Sequence, residues 1–189
     1  AVMREYEPDY SPIDEYKREL AKNPAKGGLV QAAIATSAEE IPTPQLRFRA
    51  DTDTNLKRAI TEAQKPLAVL DYKLQEMHTL LEAGEKQRVA LDSPRWRAGY
   101  DLAMGRVLAM RVRAYGYNVV LAEMKSSPRQ FDNPQNNLWI LEPSDETDAP
   151  ARIRKMAERA VEYLNRVINE HPGTPWELLA RKELEQPMG

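Results

Sequence analysis

Pro94 to Lys125 reads PRWRAGYDLAMGRVLAMRVRAYGYNVVLAEMK, and its apolar spacing decides the fold. The apolar residues fall at Trp96, Tyr100, Ala103, Val107, Met110, Ala114, Tyr117, Leu121 and Met124. Steps of four and three keep side chains on one helical face, the kind of seam that packs lengthwise on a second helix. Ser93 suits the cap, and Pro94 suits the first helical position, where no N–H is needed. A second row, Leu102, Ala109 and Gly116, runs beside the seam and predicts contacts on more than one side. Gly99, Gly105 and Gly116 each cost roughly 1 kcal/mol against alanine inside a helix. Close approach by a neighbour is the expected reason for them. Tyr115-Gly116-Tyr117-Asn118 also has the composition of a turn, but the unbroken seam favours one continuous helix.

The matching seam lies at 51–83, with Leu56, Ile60, Ala63, Leu67, Leu70, Leu74, Met77 and Leu81 again stepping by four and three. Asp51, Thr52 or Asp53 can cap its start, and Gly84 is a natural stop. Pro66 removes one backbone bond in its interior and is expected to bend it. Two such seams joined by a short connection, with one extra helical turn at Glu85–Leu91, predict a long antiparallel hairpin over 51–125. A third helix spans Ala151 to Glu170, with Ile153, Ala157, Ala160, Leu164, Val167 and Ile168 inward. His171-Pro172-Gly173 ends it. Thr174 and Pro175 start a last helix, Trp176 to about Glu185, presenting Trp176, Leu179, Ala180 and Leu184. These two form a second antiparallel pair over 151–189.

The remainder is less regular. Residues 1–12 carry no helical period and read as an extended arm that packs its tyrosines on the body or awaits a partner. Ser11-Pro12 and Asn23-Pro24 each start a short helix, the second reaching about Thr36, with its first turn weakened by Gly27-Gly28. Ile41-Pro42-Thr43-Pro44 cannot be helical. Gln45 to Ala50 alternates Leu46, Phe48 and Ala50 against Arg47 and Arg49, the period of a strand. Leu138 to Leu141 is its only plausible mate in a minor two-stranded pairing. Residues 126–150 form an irregular loop tied down by Phe131, Leu138, Trp139, Ile140 and Leu141, with Glu142 to Asp148 acidic and exposed. The expected class is all-α: a single domain of N-terminal arm and short helices (1–50), hairpin, loop and C-terminal pair, with extended proline-rich arms.

With 189 residues, 42% hydrophobic and 30% charged, the chain can bury a sizeable core and is not a disordered tail. A formal net charge of −2 argues against a general nucleic-acid binder. The absence of cysteine excludes disulfides, thiol nucleophiles and thiolate metal sites. No apolar run is long enough to span a bilayer, and no signal peptide opens the chain. Either end reads as a possible boundary within a longer protein.

Two resemblances follow from particular residues. The pattern from Ala157 through Ala160, Tyr163, Leu164, Val167 and Ile168 to His171-Pro172-Gly173-Thr174-Pro175-Trp176 resembles a tetratricopeptide helix turn, over about one repeat. No second copy follows at that period. TEAQKP (Thr61 to Pro66), PRWRAGYDLAMGRVLAMRVRAYGYN (Pro94 to Asn118) and EHPGTPW (Glu170 to Trp176) together are similar to the helical region that follows the von Willebrand factor type A domain in a group of large bacterial proteins. That likeness covers most of the chain from about Tyr10. It implies an interaction role beside an adhesive or assembly domain, in the cell envelope or periplasm, with the cytoplasm open. It carries no catalytic residue, and the Asp-x-Ser-x-Ser loop through which the A domain binds its ion is absent here.

Candidate chemistry is sparse. There is no Gly-rich phosphate loop, Ser elbow or His-x-x-x-His. His78 reads as exposed, and His171 as a cation favoured at a helix C-terminus. Asp71 and Asp101 lie near the two seams. They are either a paired-carboxylate site or inter-helix ion pairs with Arg97, Arg106 or Arg113, and buried charges favour the second. Arg95, Arg97, Arg106, Arg111 and Arg113 make the central helix basic. Arg106 and Arg113, one heptad apart, either hold an acidic partner or phosphate, or meet acidic residues of neighbouring helices such as Glu62, Asp71 or Glu76. Tyr100, Tyr115, Tyr117 and Trp176 are candidate anchors for a ligand. The leading reading is a non-enzymatic interaction or scaffold module of a larger bacterial protein. Its partner is another protein or a neighbouring domain, its interaction residues Arg106, Arg113, Tyr115, Tyr117 and Trp176. No catalytic residue, cofactor or metal is assigned. The alternatives are a peptide or small-ligand binder in a groove between helix pairs, and an enzyme using an Asp/Arg cluster.

Overall fold

The stretch beginning at Pro94 forms one unbroken helix, α4 (Pro94–Ser126), around which the other elements are arranged. The computed structural model describes residues 2–8, 10–37, 42–128, 130–133, 135–144 and 149–188. In chain order these include α1 (Ile13–Lys22), α2 (Pro24–Ser37), β1 (Arg47–Arg49), α3 (Asp53–Ala83), α4, β2 (Leu138–Ile140), α5 (Ala151–Glu170) and α6 (Pro175–Leu184). Two 3₁₀ turns, Val2–Tyr6 and Glu85–Ala90, complete them. The class is all-α with one small antiparallel strand pair.

The hairpin forms as its seams predict. Ser93 caps α4, accepting from the Trp96 N–H at 3.4 Å, and Thr52 caps α3, accepting from the Asn55 N–H at 3.2 Å. Near the start of α4 the Tyr100 hydroxyl donates to the Leu81 carbonyl near the end of α3, at 2.6 Å. At the other end Gln64 donates to Asn118 at 3.1 Å. The helices are therefore antiparallel. α3 runs on through Pro66, and Gly84 ends it in a right-handed conformation (φ −92°).

α4 touches α2, α3, α5, α6 and the first 3₁₀ turn. One core joins Ala25 and Ala32 of α2, Leu74, Met77 and Leu81 of α3, Tyr100, Met104 and Leu108 of α4, and Ala160 and Tyr163 of α5. Met104, Leu108 and Val112 are a further buried row that the lengthwise seam does not mark, because α5 covers a face of α4 outside it. α5 crosses at Gly105, where a Cβ would lie 2.8 Å from Leu164 Cγ and 3.4 Å from the Ala160 carbonyl oxygen. The close approach expected of this glycine is realised.

Gly28 has the same use, which replaces the reading of Gly27-Gly28 as a weak first turn. A Cβ on Gly28 would overlap the Leu80 carbonyl oxygen. A Cβ on Gly84 would sit 2.5 and 2.7 Å from the Ala25 Cα and N. α2 thus docks on the end of α3 backbone to backbone. Asn23 caps α2, accepting from Ala25 N–H at 2.9 Å and Lys26 N–H at 3.3 Å. At α1 the expectation fails: Pro12 occupies the cap position with no side-chain bond, so Ser11 is not the cap.

The strand pair forms with the register Arg47↔Ile140, Phe48↔Trp139 and Arg49↔Leu138. Directly opposed residues share a face. Phe48 and Trp139 therefore turn inward, onto Leu56, Ile60 and Leu121, while Leu138 and Ile140 turn outward. Of the residues expected to tie down the long loop, Phe131 stacks on Trp139 with centroids 4.4 Å apart. Leu138 and Ile140 stay exposed, because they sit on the outer face with Arg47 and Arg49. Ile41 and the acidic segment 145–148 lie outside the described residues.

α5 has the bounds its pattern predicts, and Thr174 caps α6, accepting from the Glu177 N–H at 3.3 Å. Gly173 turns the chain between them at φ +73°, a left-handed conformation that glycine adopts without strain. Leu179 is 43% exposed rather than inward, and Glu183 occupies the inner face of α6 instead. The N-terminal arm is not extended as far as Tyr6. Residues Val2–Tyr6 form a 3₁₀ turn on the body, with Tyr6 buried, whereas Tyr10 stays out at 92% exposure.

Candidate functional site

The hairpin seam is closed at both ends and open in the middle. Toward the loop end Leu74, Met77 and Leu81 are buried against Tyr100, Met104 and Val107. Toward the other end Leu56 and Ile60 are buried with Phe48 and Leu121. Between them Ala63, Leu67, Leu70 and Met110 are only partly covered, and they line a half-open groove of about 1060 Å³. Its lips are residues 42–46 before β1 and 140–143 at and after the end of β2. Pro187, Gln186 and Ala149 also line it. Leu46, Val120 and Ile140 contribute exposed apolar surface.

The candidate interaction residues divide. Arg113, Tyr115 and Tyr117 line the groove. Tyr117 donates its hydroxyl to the Gln45 carbonyl at 2.7 Å, fixing the lip to α4. Tyr115 also packs on the small core of Val112, Ala149 and Ile153. Arg106 and Arg113 share a face as expected, but both meet Glu183 of α6 and not Glu62, Asp71 or Glu76. The reason is that α6, not α3, lies against that side of α4. Trp176 lies elsewhere, stacked on Tyr6 with centroids 5.4 Å apart and with Arg95 over its ring. Tyr100 is fully buried, so it anchors the hairpin and not a ligand.

Asp71 and Asp101 are not brought together. Asp71 is exposed on α3, while Asp101 is fully buried on α4. Asp101 accepts from Arg88 Nε at 3.1 Å and also meets Arg88 Nη2, with Arg166 Nη1 at 3.4 Å. These partners replace Arg97, Arg106 and Arg113, because the 3₁₀ turn and α5 face Asp101. Burial pushes its carboxyl above the usual range, against the pull of the Arg88 and Arg166 guanidiniums. Arg88 also reaches Glu170 at 2.6 Å, so the turn, α4 and α5 are tied at one point. Beside it, Tyr163 and Arg159 both hold Glu85. Burial pushes the Glu85 carboxyl up, but these two partners outweigh it and leave it below the usual range. The same burial and hydrogen bond push the Tyr163 hydroxyl up to about 12.

Both histidines are corrected. His78 is buried rather than exposed, because α4 supplies Arg111 over it, 2.8 Å from Nδ1. Arginine only donates, so Nδ1 is the acceptor and Nε2 carries the proton, 3.9 Å from Glu82. His171 does end α5, but it is buried and meets the Tyr6 hydroxyl through Nδ1 at 2.8 Å. Burial pushes both imidazoles below their ordinary value, so neither is a cation at neutral pH. The helix-end cation reading of His171 therefore fails.

Among the described residues no group of three or more His, Asp or Glu side chains is placed to hold a metal ion, and no helix is long and apolar enough to cross a membrane. Leu67 and Leu70 fall in the α3 seam, and periodicity does not show that they are left partly covered. The prolines at 42, 44, 66 and 143, all on the walls of the groove, were the signal for it. No family model, curated protein or solved structure matches the chain.

Proposed function

We propose that this chain is a non-enzymatic helical interaction module of a larger bacterial protein, which takes a segment of a partner protein or neighbouring domain into the groove between α3, α4 and the strand pair. The observation that carries this is the open middle of the seam. Leu67, Leu70 and Met110 are only partly covered where the periodicity would bury them, and exposed Leu46, Val120 and Ile140 extend the same apolar surface. Apolar surface of this kind, rimmed by polar residues, marks interaction sites. The fate of the charged candidates supports the non-catalytic side of the reading. Asp101 is closed off by two arginines, and Arg106 and Arg113 are spent on Glu183. The likeness to the helical region beside von Willebrand factor type A domains agrees with such a role.

The test is site-specific photocrosslinking of the full-length protein in its own host. A photoreactive residue at Val120, in the groove, should give a discrete adduct. The same residue at Tyr72, which is 71% exposed and outside the groove, should not. Absence of an adduct at Val120, or equal adducts at both positions, rejects the groove as the interaction site.

A further inference from the structure

We infer that the groove takes a short amphipathic helix with an apolar stripe and flanking Lys or Arg residues; this rests on the reading of the groove as the interaction site and names its partner class. The first argument is charge. Among the described residues, the charged side chains lining the groove are Glu62, Arg113, Glu123 and Glu142. Arg113 is already consumed. Its guanidinium holds the Glu183 carboxylate and donates to the carbonyls of Glu183 (3.1 Å), Gln186 (3.0 Å) and Pro187 (2.9 Å). Among the described residues Glu62 meets Lys65, in an exposed pair at 2.8 Å. The carboxylates of Glu123 and Glu142 are exposed and have no partner among the described residues. An apolar floor with carboxylates at its rim is complementary to an apolar segment that carries cations at its edge.

The second argument is backbone chemistry. The lips contain Pro42, Pro44 and Pro143. Proline has no N–H, so these lips are poorly equipped to hydrogen-bond an added strand. An extended ligand would leave its own backbone groups poorly paired against them. A helix satisfies its backbone internally and needs from the groove only an apolar face and charge.

The probes are three synthetic peptides: a Lys-flanked amphipathic helix with a leucine stripe, a Glu-flanked counterpart, and a Lys-flanked version broken by central prolines. Binding is followed by amide chemical shifts and by titration at about 0.15 M salt. The Lys-flanked helix should shift groove resonances around Tyr117, Val120 and Ile140. Joint Glu123→Lys and Glu142→Lys substitution should weaken it roughly tenfold. The Glu-flanked and proline-broken peptides should bind far more weakly. Both glutamates are exposed, so the variants are expected to fold, and their thermal melts check this. Equal binding of the Lys- and Glu-flanked peptides, unaffected by the charge reversal, overturns the cationic assignment. Equal binding of the proline-broken peptide overturns the helical one. If none of the three moves groove resonances, the inference is rejected. An adduct at Val120 in the full-length protein would then leave the groove reading standing, and its absence would remove both.

Discussion

Replacing Gly28 by alanine should destabilise the protein, although helix propensity alone says the opposite. Gly28 lies inside α2, where alanine is ordinarily favoured by roughly 1 kcal/mol. Here the added Cβ would overlap the Leu80 carbonyl oxygen and lie 3.1 Å from its carbon. The obstacle is the backbone of α3, which cannot rotate away as a side chain would. α2 must therefore move off, loosening Ala25 and Ala32 from the main core. Overpacking of this kind costs roughly 1–3 kcal/mol, and rigid backbone places it at the upper end. Subtracting the propensity gain leaves a loss of about 2 kcal/mol, or about 4–8 °C in Tm for a chain of this size. Gly84→Ala presses on the same junction from the other side, against Ala25 and the Pro24 carbonyl at 2.8 Å. One displacement of α2 relieves both clashes, so the double variant should lose clearly less than the sum of the singles. Urea unfolding with a common slope measures all three. A Gly28→Ala protein as stable as the parent, or more so, would refute the backbone-contact account. Strict additivity would refute the shared displacement.

Three further outcomes follow from the charged core and the termini. Asp101→Asn should cost about 2–4 kcal/mol in urea unfolding, somewhat below the usual loss for a broken buried pair because Arg88 keeps Glu170; a change under about 0.5 kcal/mol would show that the pair contributes nothing net. Stability should fall as the solution is acidified from about pH 7 toward pH 5. Burial, joined by Arg111 and Arg159 at His78 and by Arg88 and Arg97 at His171, outweighs Glu82 and Glu170 and holds both imidazoles below their unfolded value near 6.5. The unfolded chain therefore takes up protons first, and the stabilisation, complete above that value, is lost as pH drops through the folded values. A Tm level across that window would exclude both groups. Arg113→Lys should release residues 185–188 to limited proteolysis while leaving α4 intact, since lysine cannot span the Glu183 carboxylate and three carbonyls with one planar fork. Unchanged protection of the tail would mean that the fork is not what holds it.

Legibility in the sequence followed the number of neighbours an element has. α5 contacts the body along one stripe, and its bounds and most of its inward residues are legible in the periodicity, buried Tyr163 excepted. The α3 and α4 seams are legible for the same reason. Met104, Leu108 and Val112 are not, because α5 covers a second face of α4 beside the seam, and which further face a neighbour covers is not written in α4 itself. His78 follows Met77 at the margin of the α3 seam, and nothing local to α3 announces that Arg111 of α4 will cover it. The sequence places Asp101 near the seam but does not show its partners: Arg88 lies in the 3₁₀ turn of the connection, and Arg166 on a separate helix. Of the groove, Arg113, Tyr115 and Tyr117 were named from the sequence. Leu67 and Leu70 belong to the predicted seam, but periodicity reports which face is apolar and not whether a neighbour covers it.

The contact between Tyr6 and His171 joins residues 165 positions apart. The two helix pairs, by contrast, are built from segments adjacent in sequence. Contacts of short separation form early in folding, and those that close most of the chain come later. The N-terminal turn is then the last piece to arrive, settling Tyr6 onto an α5–α6 corner already made. By the same order it is a natural first piece to leave. Its departure would expose Trp176 and strip the hydrogen bond from His171 without opening the main core of α2, α3, α4 and α5. Such a local opening, distinct from global unfolding, would cost the Tyr6–Trp176 stack, the Tyr6–His171 hydrogen bond and the Arg95 bond to the Tyr6 carbonyl.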